Sequence, residues 1–233
     1  MSRRIRLLSL VDGARKATGL TVVIDVFRAF SLEAYLYAKG AEEIVPVMTV
    51  EEAFEIKRAD PGVILVGERG GVKCEGFDFG NSPSQLDGVD VSGKRIVHTT
   101  SAGTRGLLSV SGETELLTAA FVNARAVAEY IERSGADDVS IVAMGLGGKR
   151  KTDEDELCAA YIRSILEHDE IRDIDKRLRK LKYTNGSKFF KAINQQVFPE
   201  RDFWMSIERD IFDFVIKVEK NGEKLSTRKI GMR

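Results

Sequence analysis

The chain has 233 residues, 43% of them hydrophobic and 31% charged, and its 36 basic residues equal its 36 acidic ones. This composition is ordinary for a globular domain, and the balanced charge gives no indication of a nucleic-acid partner. Its 2 cysteines exclude a disulfide scaffold and a zinc ribbon, because both need several closely spaced cysteines. The sequence shows no signal peptide and no membrane-spanning run, so we expect a cytoplasmic protein with no membrane partner.

Strand-like and helix-like segments alternate up to residue 167. Strands are predicted at residues 20–26, 43–47, 63–66, 95–99, 115–119 and 139–144. Helices are predicted at residues 28–39, 49–59 and 123–134, just after residues 101–104, and from residue 152 or 153 onwards. This alternation predicts an α/β fold of three layers, α/β/α, with a largely parallel or mixed sheet.

The pattern changes after about residue 170. We predict helices over 173–183 and 187–196, followed by a strand over 212–218. The pair Asn221-Gly222 is a strong hairpin signal and leads into a strand over 224–228. We expect one compact unit over residues 1–233, with the helices and hairpin of residues 170–233 packing on it. Two similar lobes, divided near residues 110–120, are the alternative.

Polar and glycine-rich segments follow four of the predicted strands. They are residues 25–28, 67–71, 99–105 and 145–148, and the last of them leads to Glu154 and Asp155. Open parallel sheets place their ligands beyond the carboxyl ends of the strands. We therefore expect these segments to form one polar cleft that can hold both anions and cations.

The individual residues of this cleft have structural alternatives. Asp25 ends an apolar strand, where an unpaired carboxylate is costly to bury, so we favour a metal or catalytic role over a helix N-cap. Arg28 lies near a helix start, where a cation opposes the helix dipole; it either binds an anion or neutralises Asp25. The segment 101–104 suits anion binding through backbone amides, and an ordinary capped helix start has near-equal weight. Glu154 and Asp155 suit a helix start whether or not they have a further role.

Several familiar active-site patterns are absent from the sequence. It contains no nucleophile elbow and no GxxxxGK[ST] loop, and residues 145–148 lack the GxGxxG spacing. A nicotinamide enzyme or an ATP-hydrolysing enzyme is therefore disfavoured. We interpret His98, inside a strand, as a structural histidine in preference to a base.

These residues resemble the 2-phosphosulfolactate phosphatase family. The matching segments occur in the family's order, at residues 23–29, 67–71, 76–83, 99–104, 122–124, 154–155 and 157–159. The resemblance implies a magnesium-dependent phosphatase that converts 2-phosphosulfolactate to sulfolactate and phosphate, a step toward coenzyme M. It also implies a three-layer α/β/α fold and a homo-oligomer. The sequence departs from the family at Phe27 and Phe30, and at Ser101 and Ala102, and these departures concern the substrate more than the reaction class.

Phosphomonoester hydrolysis requires mainly positioning and charge neutralisation of the phosphoryl oxygens. We therefore hypothesise that Asp25, Glu68 and Asp155 are catalytic, and that Asp25 is either a metal ligand or a nucleophile. The predicted Mg²⁺ ligands are Asp25, Glu68, Glu154 and Asp155. The predicted substrate-binding residues are Arg28, Arg69, Asn81, Ser101, Gly103, Thr104 and Arg105. The alternatives are a phosphatase for another small acidic phosphoester and a non-catalytic anion-binding homologue.

Overall fold

The computed structural model describes residues 3–112, 114–222 and 224–232. The strands of the described residues form one sheet in the order β1-β8-β2-β7-β9-β10-β3-β6-β4-β5. They are β1 (Arg4–Ser9), β2 (Leu20–Ile24), β3 (Glu43–Val47), β4 (Ile64–Arg69), β5 (Val72–Lys73), β6 (Arg95–Thr99), β7 (Leu116–Ala119), β8 (Asp138–Ala143), β9 (Phe214–Asn221) and β10 (Lys224–Gly231).

Helices pack on this mixed sheet, and the predicted three-layer α/β/α fold class is confirmed. They are α1 (Leu10–Arg15), α2 (Ala29–Ala38), α3 (Val50–Ala59), α4 (Gly103–Ser109), α5 (Ala124–Ser134), α6 (Asp153–Leu166), α7 (Ile174–Lys180) and α8 (Glu200–Ile207). Within the described ranges, no helix is both long enough and apolar enough to cross a membrane.

The sheet consists of two parallel groups joined by an antiparallel hairpin. Strands β1, β8, β2 and β7 run parallel to one another, and so do β3, β6 and β4. The hairpin of β9 and β10 lies between the groups: Thr118 of β7 pairs with Ile216, and Ile44 of β3 pairs with Thr227. The sequence predicts this hairpin, and the structure places it in the middle of the sheet. The division into one unit or two lobes stays a prediction.

The local sequence explains why several elements form where they do. All five residues of β2 are buried, as expected for an apolar strand covered on both faces. Helix α3 begins after Thr49, whose hydroxyl accepts the Glu52 amide proton, and the Glu52 carboxylate accepts the amide of Met48. This is close to the predicted capping box. Helix α5 ends at Gly135, whose φ of 68° is the left-handed value that glycine adopts readily.

The structure differs from the sequence prediction in two places near the cleft. Strand β4 continues to Arg69 instead of ending at residue 66, because β5 pairs with its last residues. The helix predicted over 187–196 is wrong: the chain forms 3-10 turns at Asn185–Phe190 and Ala192–Asn194. Phe189 is buried, whereas Ile193, one turn later, is 91% exposed, so this segment lacks the single apolar face of a packed helix. The prediction also omitted β1, α1 and α8.

Candidate active site

A cavity of about 820 Å³ lies beyond the carboxyl ends of β2, β8, β4 and β6. We call it the acidic cavity, because four buried carboxylates line it: Asp25, Glu68, Glu154 and Asp155. Arg28, Asn81 and Ser101 also line it, so seven of the predicted site residues meet there. The polar segments after the four strands therefore form one cleft.

Glu68 joins the glycine-rich loop to the segment that follows β6. Its Oε1 accepts the Ser101 amide proton at 2.8 Å, and its Oε2 accepts the Gly71 amide proton at 2.5 Å. Strand β4 presents this carboxylate at its end, and backbone amides fix both oxygens. Glu68 therefore has a defined orientation toward the cavity.

Asp155, in the first turn of α6, has the same arrangement. Its Oδ1 accepts the Val26 amide proton at 2.8 Å, and its Oδ2 accepts the Gly145 amide proton at 2.7 Å. The first turn of α6 is thereby fixed to the ends of β2 and β8. Burial raises the pKa of Asp155 to about 6, although these two amide bonds act in the opposite direction.

Asp25 and Glu154 are the carboxylates whose ionised form the surrounding protein stabilises least. Burial raises the pKa of Asp25 well above its ordinary value, and the charges of Asp155, Glu68 and Glu154 raise it further. Burial and then the charge of Asp155 raise the pKa of Glu154 to about 8. Glu154 Oε2 is buried and has no hydrogen-bond partner among the residues that the structure describes. Together these observations indicate a site that a cation would stabilise, since each carboxylate disfavours ionisation of its neighbours.

No group of three or more His, Cys, Asp or Glu side chains in the described part of the chain is arranged to hold a metal ion. An ion in the acidic cavity would therefore be held by fewer protein ligands. Magnesium commonly binds in this way, through one or two carboxylates and several water molecules. The unpartnered Oε2 of Glu154 is the oxygen that most clearly fits such an ion.

Arg28 lies at the wall of the cavity in a buried ion pair. Its Nη1 donates to Asp202 Oδ2 at 2.6 Å and to the Val197 carbonyl at 2.9 Å, and its Nη2 donates to the Gly71 carbonyl at 3.2 Å. The guanidinium carbon lies 4.9 Å from the centre of the Phe198 ring. Arg28 therefore connects the end of β2 to the glycine-rich loop and to α8.

The structure places the other predicted substrate ligands outside the cavity lining. The Arg69 guanidinium donates hydrogen bonds to the carbonyls of Glu68 and Met48 and to Thr99 Oγ1. These bonds stabilise the end of β4. Gly103 lies directly behind Asp25, where an added Cβ would be 3.2 Å from the carboxylate. Thr104 is buried in α4. Arg105 is exposed and contacts the Gly147 carbonyl at 3.4 Å. Direct substrate contacts by these four residues stay predictions.

Residues 184–198 supply one wall of the cavity that was not predicted from the sequence; its lining residues are Thr184, Asn185, Ser187, Lys188 and Phe198. The Lys188 ammonium lies 4.9 Å from the centre of the Phe198 ring. Burial lowers the pKa of Lys188, while the charge of Glu154 acts to raise it. The sequence signal for this wall is a lysine followed by two phenylalanines at residues 188–190. The segment has no apolar periodicity, so the sequence does not show where the lysine lies in the fold.

Asn81 is held at the cavity by the folding of the loop that precedes it. Asp78 Oδ2 accepts the Leu65 amide at 2.8 Å, which ties the loop to β4. Phe77 packs edge-on against Phe54 of α3, with ring centres 5.5 Å apart. His98 Nε2 lies 2.6 Å from Asn81 Oδ1, so the histidine is buried and hydrogen-bonded, as its structural interpretation predicts.

The chain is similar to known proteins over most of its length. The family model for 2-phosphosulpholactate phosphatase matches residues 9–221. A protein of Bacillus subtilis is 32% identical over 206 residues, which is 88% of this chain and 89% of that protein. A protein of Clostridium perfringens is 32% identical over 228 residues, 91% of each chain. A protein of Caldicellulosiruptor saccharolyticus is 43% identical over a shorter span, 60% of this chain and 59% of that protein.

All three relatives are named as probable 2-phosphosulfolactate phosphatases. The family model and two of these matches cover most of the chain, and the residues that the family model matches include every residue that lines the acidic cavity. The chain therefore belongs to the 2-phosphosulfolactate phosphatase family, a family of phosphoric monoester hydrolases.

Proposed function

We propose that this protein hydrolyses 2-phosphosulfolactate to sulfolactate and phosphate in a magnesium-dependent reaction, as in the formation of coenzyme M, in the cytoplasm. The observation that carries the proposal is the acidic cavity itself. Four buried carboxylates surround it, and Arg28 and Lys188 line the same space. In a member of this family, such a combination suits a polyanionic phosphoester bound together with a cation.

Asp25 and Glu154 are the residues that would hold the magnesium ion. Both oxygens of Glu68 and of Asp155 accept backbone amide protons, whereas Glu154 Oε2 finds no partner within the described part of the chain. Bound there, the ion would supply charge neutralisation for the phosphoryl oxygens and a more acidic water. The pKa values raised by burial and mutual repulsion make both side chains suited to a cation.

The substrate's phosphate, sulfonate and carboxylate need positive charge and hydrogen-bond donors. Lys188 lines the cavity and can contribute an ammonium to them; burial lowers its pKa, and the charges of Glu154, Asp25 and Glu68 act to raise it. Arg28 contributes charge from the wall, and Ser101 and Asn81 contribute polar groups. The volume of about 820 Å³ lies in the range of small-molecule sites.

Asp25 is the residue positioned to take the central chemical role. Backbone amides hold both carboxylate oxygens of Glu68 and of Asp155, whereas the Asp25 carboxylate has a backbone contact with Ala29 alone among the described residues. It either accepts a proton from the attacking water or attacks phosphorus itself. The two routes differ at a chiral phosphorus, since one displacement inverts the configuration and two displacements retain it. A stereochemical analysis of the released phosphate separates them.

The test is phosphate release from 2-phosphosulfolactate with and without Mg²⁺. Asp25→Asn should lower kcat by about 10²- to 10⁴-fold, as expected for loss of an acid–base group or a nucleophile. Glu68→Gln should lower kcat/KM, because it removes a charge that faces the cavity and places an NH2 group opposite the Gly71 or Ser101 amide; thermal unfolding of the variant shows whether the fold is kept. Asp153→Asn and Glu55→Gln are matched controls, since both carboxylates are exposed and lie outside the cavity.

The alternatives give different results in the same assay. Faster release from 2-phospholactate or phosphoglycolate would assign another small acidic phosphoester as the substrate. Binding of the phosphoester without any metal-dependent release would indicate a non-catalytic homologue. Undiminished release by both site variants would contradict the assignment of the site. The predicted homo-oligomer is checked separately by light scattering of the purified protein.

A further inference from the structure

A chain of four polar side chains runs through the protein interior and ends at the acidic cavity. Thr118 Oγ1 lies 3.3 Å from Glu33 Oε2, and Glu33 Oε1 lies 3.2 Å from His98 Nδ1. His98 Nε2 lies 2.6 Å from Oδ1 of Asn81, which lines the cavity. All four side chains are buried, and they come from α2, β6, β7 and the loop before residue 83.

The chemistry of the two groups decides which atom donates in the hydrogen bond between His98 and Asn81. An amide oxygen only accepts, so His98 Nε2 carries the proton that it shares with Asn81 Oδ1. At the other ring nitrogen, a proton lies between Nδ1 and the Glu33 carboxyl group. Whichever atom carries that proton, the pair of Glu33 and His98 has no net charge, and Nε2 remains a donor.

Because Oδ1 of Asn81 is bonded to His98, the Nδ2 group of Asn81 is the part of the amide that can bind a ligand in the cavity. No hydrogen bond joins Nδ2 to another of the described residues, and its partner atom Oδ1 is occupied by His98. If the amide turned by half a rotation, Oδ1 would face the cavity instead. An acceptor there would repel an oxyanion, whereas the Nδ2 donor binds one.

We propose that His98, held by Glu33, is a positioning residue that fixes the Asn81 amide so that Nδ2 binds an oxyanion of the substrate. The proposal rests on the proposed function for the identity of that substrate. Both ring nitrogens of His98 have a buried partner, Nδ1 on Glu33 and Nε2 on Asn81, so a rotation of the imidazole would break a buried hydrogen bond. Loss of the fixed Asn81 orientation affects substrate affinity more than the chemical step, because the contact between Nδ2 and the oxyanion exists in both the bound and the reacting states.

Two substitutions of His98 separate positioning from a purely structural role. The amide nitrogen of glutamine reaches the place of Nε2, so His98→Gln can still donate to Asn81. The shorter side chain of asparagine reaches the place of Nδ1, so His98→Asn keeps the Glu33 contact and loses Asn81. We expect His98→Asn to raise KM for 2-phosphosulfolactate about 10- to 100-fold with a smaller change in kcat, and His98→Gln to raise it less than about threefold. The reverse order would overturn the proposal.

A double substitution tests whether His98 acts through Asn81. Asn81→Ala should raise KM by as much as His98→Asn, and the double variant should show no further rise. Additive effects would show that the two residues act independently, and would overturn the proposal. Thermal unfolding of each variant shows whether a lost affinity reflects a lost fold.

A binding measurement keeps the inference testable without turnover and without His98 variants. Calorimetry of inorganic phosphate with the wild type and Asn81→Ala should show at least a tenfold weaker Kd for the variant, as expected for a lost hydrogen bond to a charged group. The ¹⁵N resonance of His98 Nε2 should shift when phosphate is added to the wild type. No phosphate binding, or an unshifted resonance, would overturn the inference. Absence of turnover with phosphate binding intact would refute the proposed function alone.

Discussion

Replacing Gly71 with alanine tests how the glycine-rich loop shapes the acidic cavity, and Gly70 provides a matched control. Both glycines have left-handed backbone angles, with φ values of 61° at Gly70 and 87° at Gly71. A Cβ at Gly70 would meet nothing within 4 Å, whereas one at Gly71 would lie 2.2 Å from Cζ of Phe198. The pair therefore separates backbone strain from crowding.

The expected magnitudes follow from these contacts. A left-handed alanine costs about 1–2 kcal/mol of folding free energy, and this cost applies to both variants. Gly71→Ala adds about 1–3 kcal/mol, because the Phe198 ring must move and it packs against Phe189, with ring centres 5.7 Å apart. The ring also lies 4.9 Å from the Arg28 guanidinium carbon, so its displacement should weaken substrate binding as well.

Urea denaturation of both variants measures the difference directly. For a chain of this length, each additional kcal/mol lowers Tm by about 2–4 °C, so thermal unfolding should also separate the variants. Gly71→Ala should in addition raise KM more than Gly70→Ala. Equal destabilisation by the two substitutions would refute the argument, because it would mean that the contact with Phe198 has no energetic weight.

Three further predictions concern charge. Asp202→Asn should cost about 3–5 kcal/mol of stability, because it leaves the buried Arg28 guanidinium without its ion pair; urea denaturation measures this. The pKa of Glu154 is raised to about 8 from its ordinary 4.5, so the folded protein binds more protons than the unfolded chain between these values. The Tm of the metal-free protein should therefore fall as pH rises through this range, and less so in Glu154→Gln. Lys188→Ala should raise KM about tenfold or more, and Arg105→Ala less than about twofold, in the phosphate-release assay.

Matched variants control these three predictions. Asp87→Asn removes an exposed ion pair with Arg201 and should cost less than about 1 kcal/mol. Glu167→Gln, at the exposed end of α6, should leave the pH dependence of Tm unchanged. If Asp87→Asn were as costly as Asp202→Asn, burial would not be the cause. A Tm that rose with pH would contradict the raised pKa of Glu154.

The sequence predicts the apolar strands best. Residues 43–47 and 95–99 form strands with the predicted bounds, because each is a short, largely apolar run rich in β-branched residues, and this pattern is visible in the local sequence. Strand β1 was missed, since Arg4 and Arg6 interrupt its apolar pattern and it lies at the edge of the sheet. The end of β4 was also missed, because its glycines suggest a loop, whereas Gly70 and Gly71 form the turn of a short local hairpin that pairs β4 with β5.

The residues of the candidate site also differ in how well the sequence predicts them. Asp25, Glu68 and Asp155 could be located from sequence because each lies at or just beyond the end of a recognisable strand or at the start of a helix. Arg69 carries the same charge as Arg28 and lies in an equally polar segment, yet it points to backbone carbonyls. Lys188 comes from irregular turns, whose position depends on aromatic packing with residues far along the chain.

The hairpin of β9 and β10 has a consequence for how the protein forms in the cell. Its residues, 214–221 and 224–231, come after all the other strands in chain order, yet they fill the middle of the sheet. Until the hairpin is made, β7 and β3 lack the strands that pair with their inner edges in the folded protein. Such edges readily pair with other chains, so the nascent protein is exposed to aggregation until the hairpin inserts. Chaperone protection during synthesis should matter more for this protein than for one whose central strands are made first.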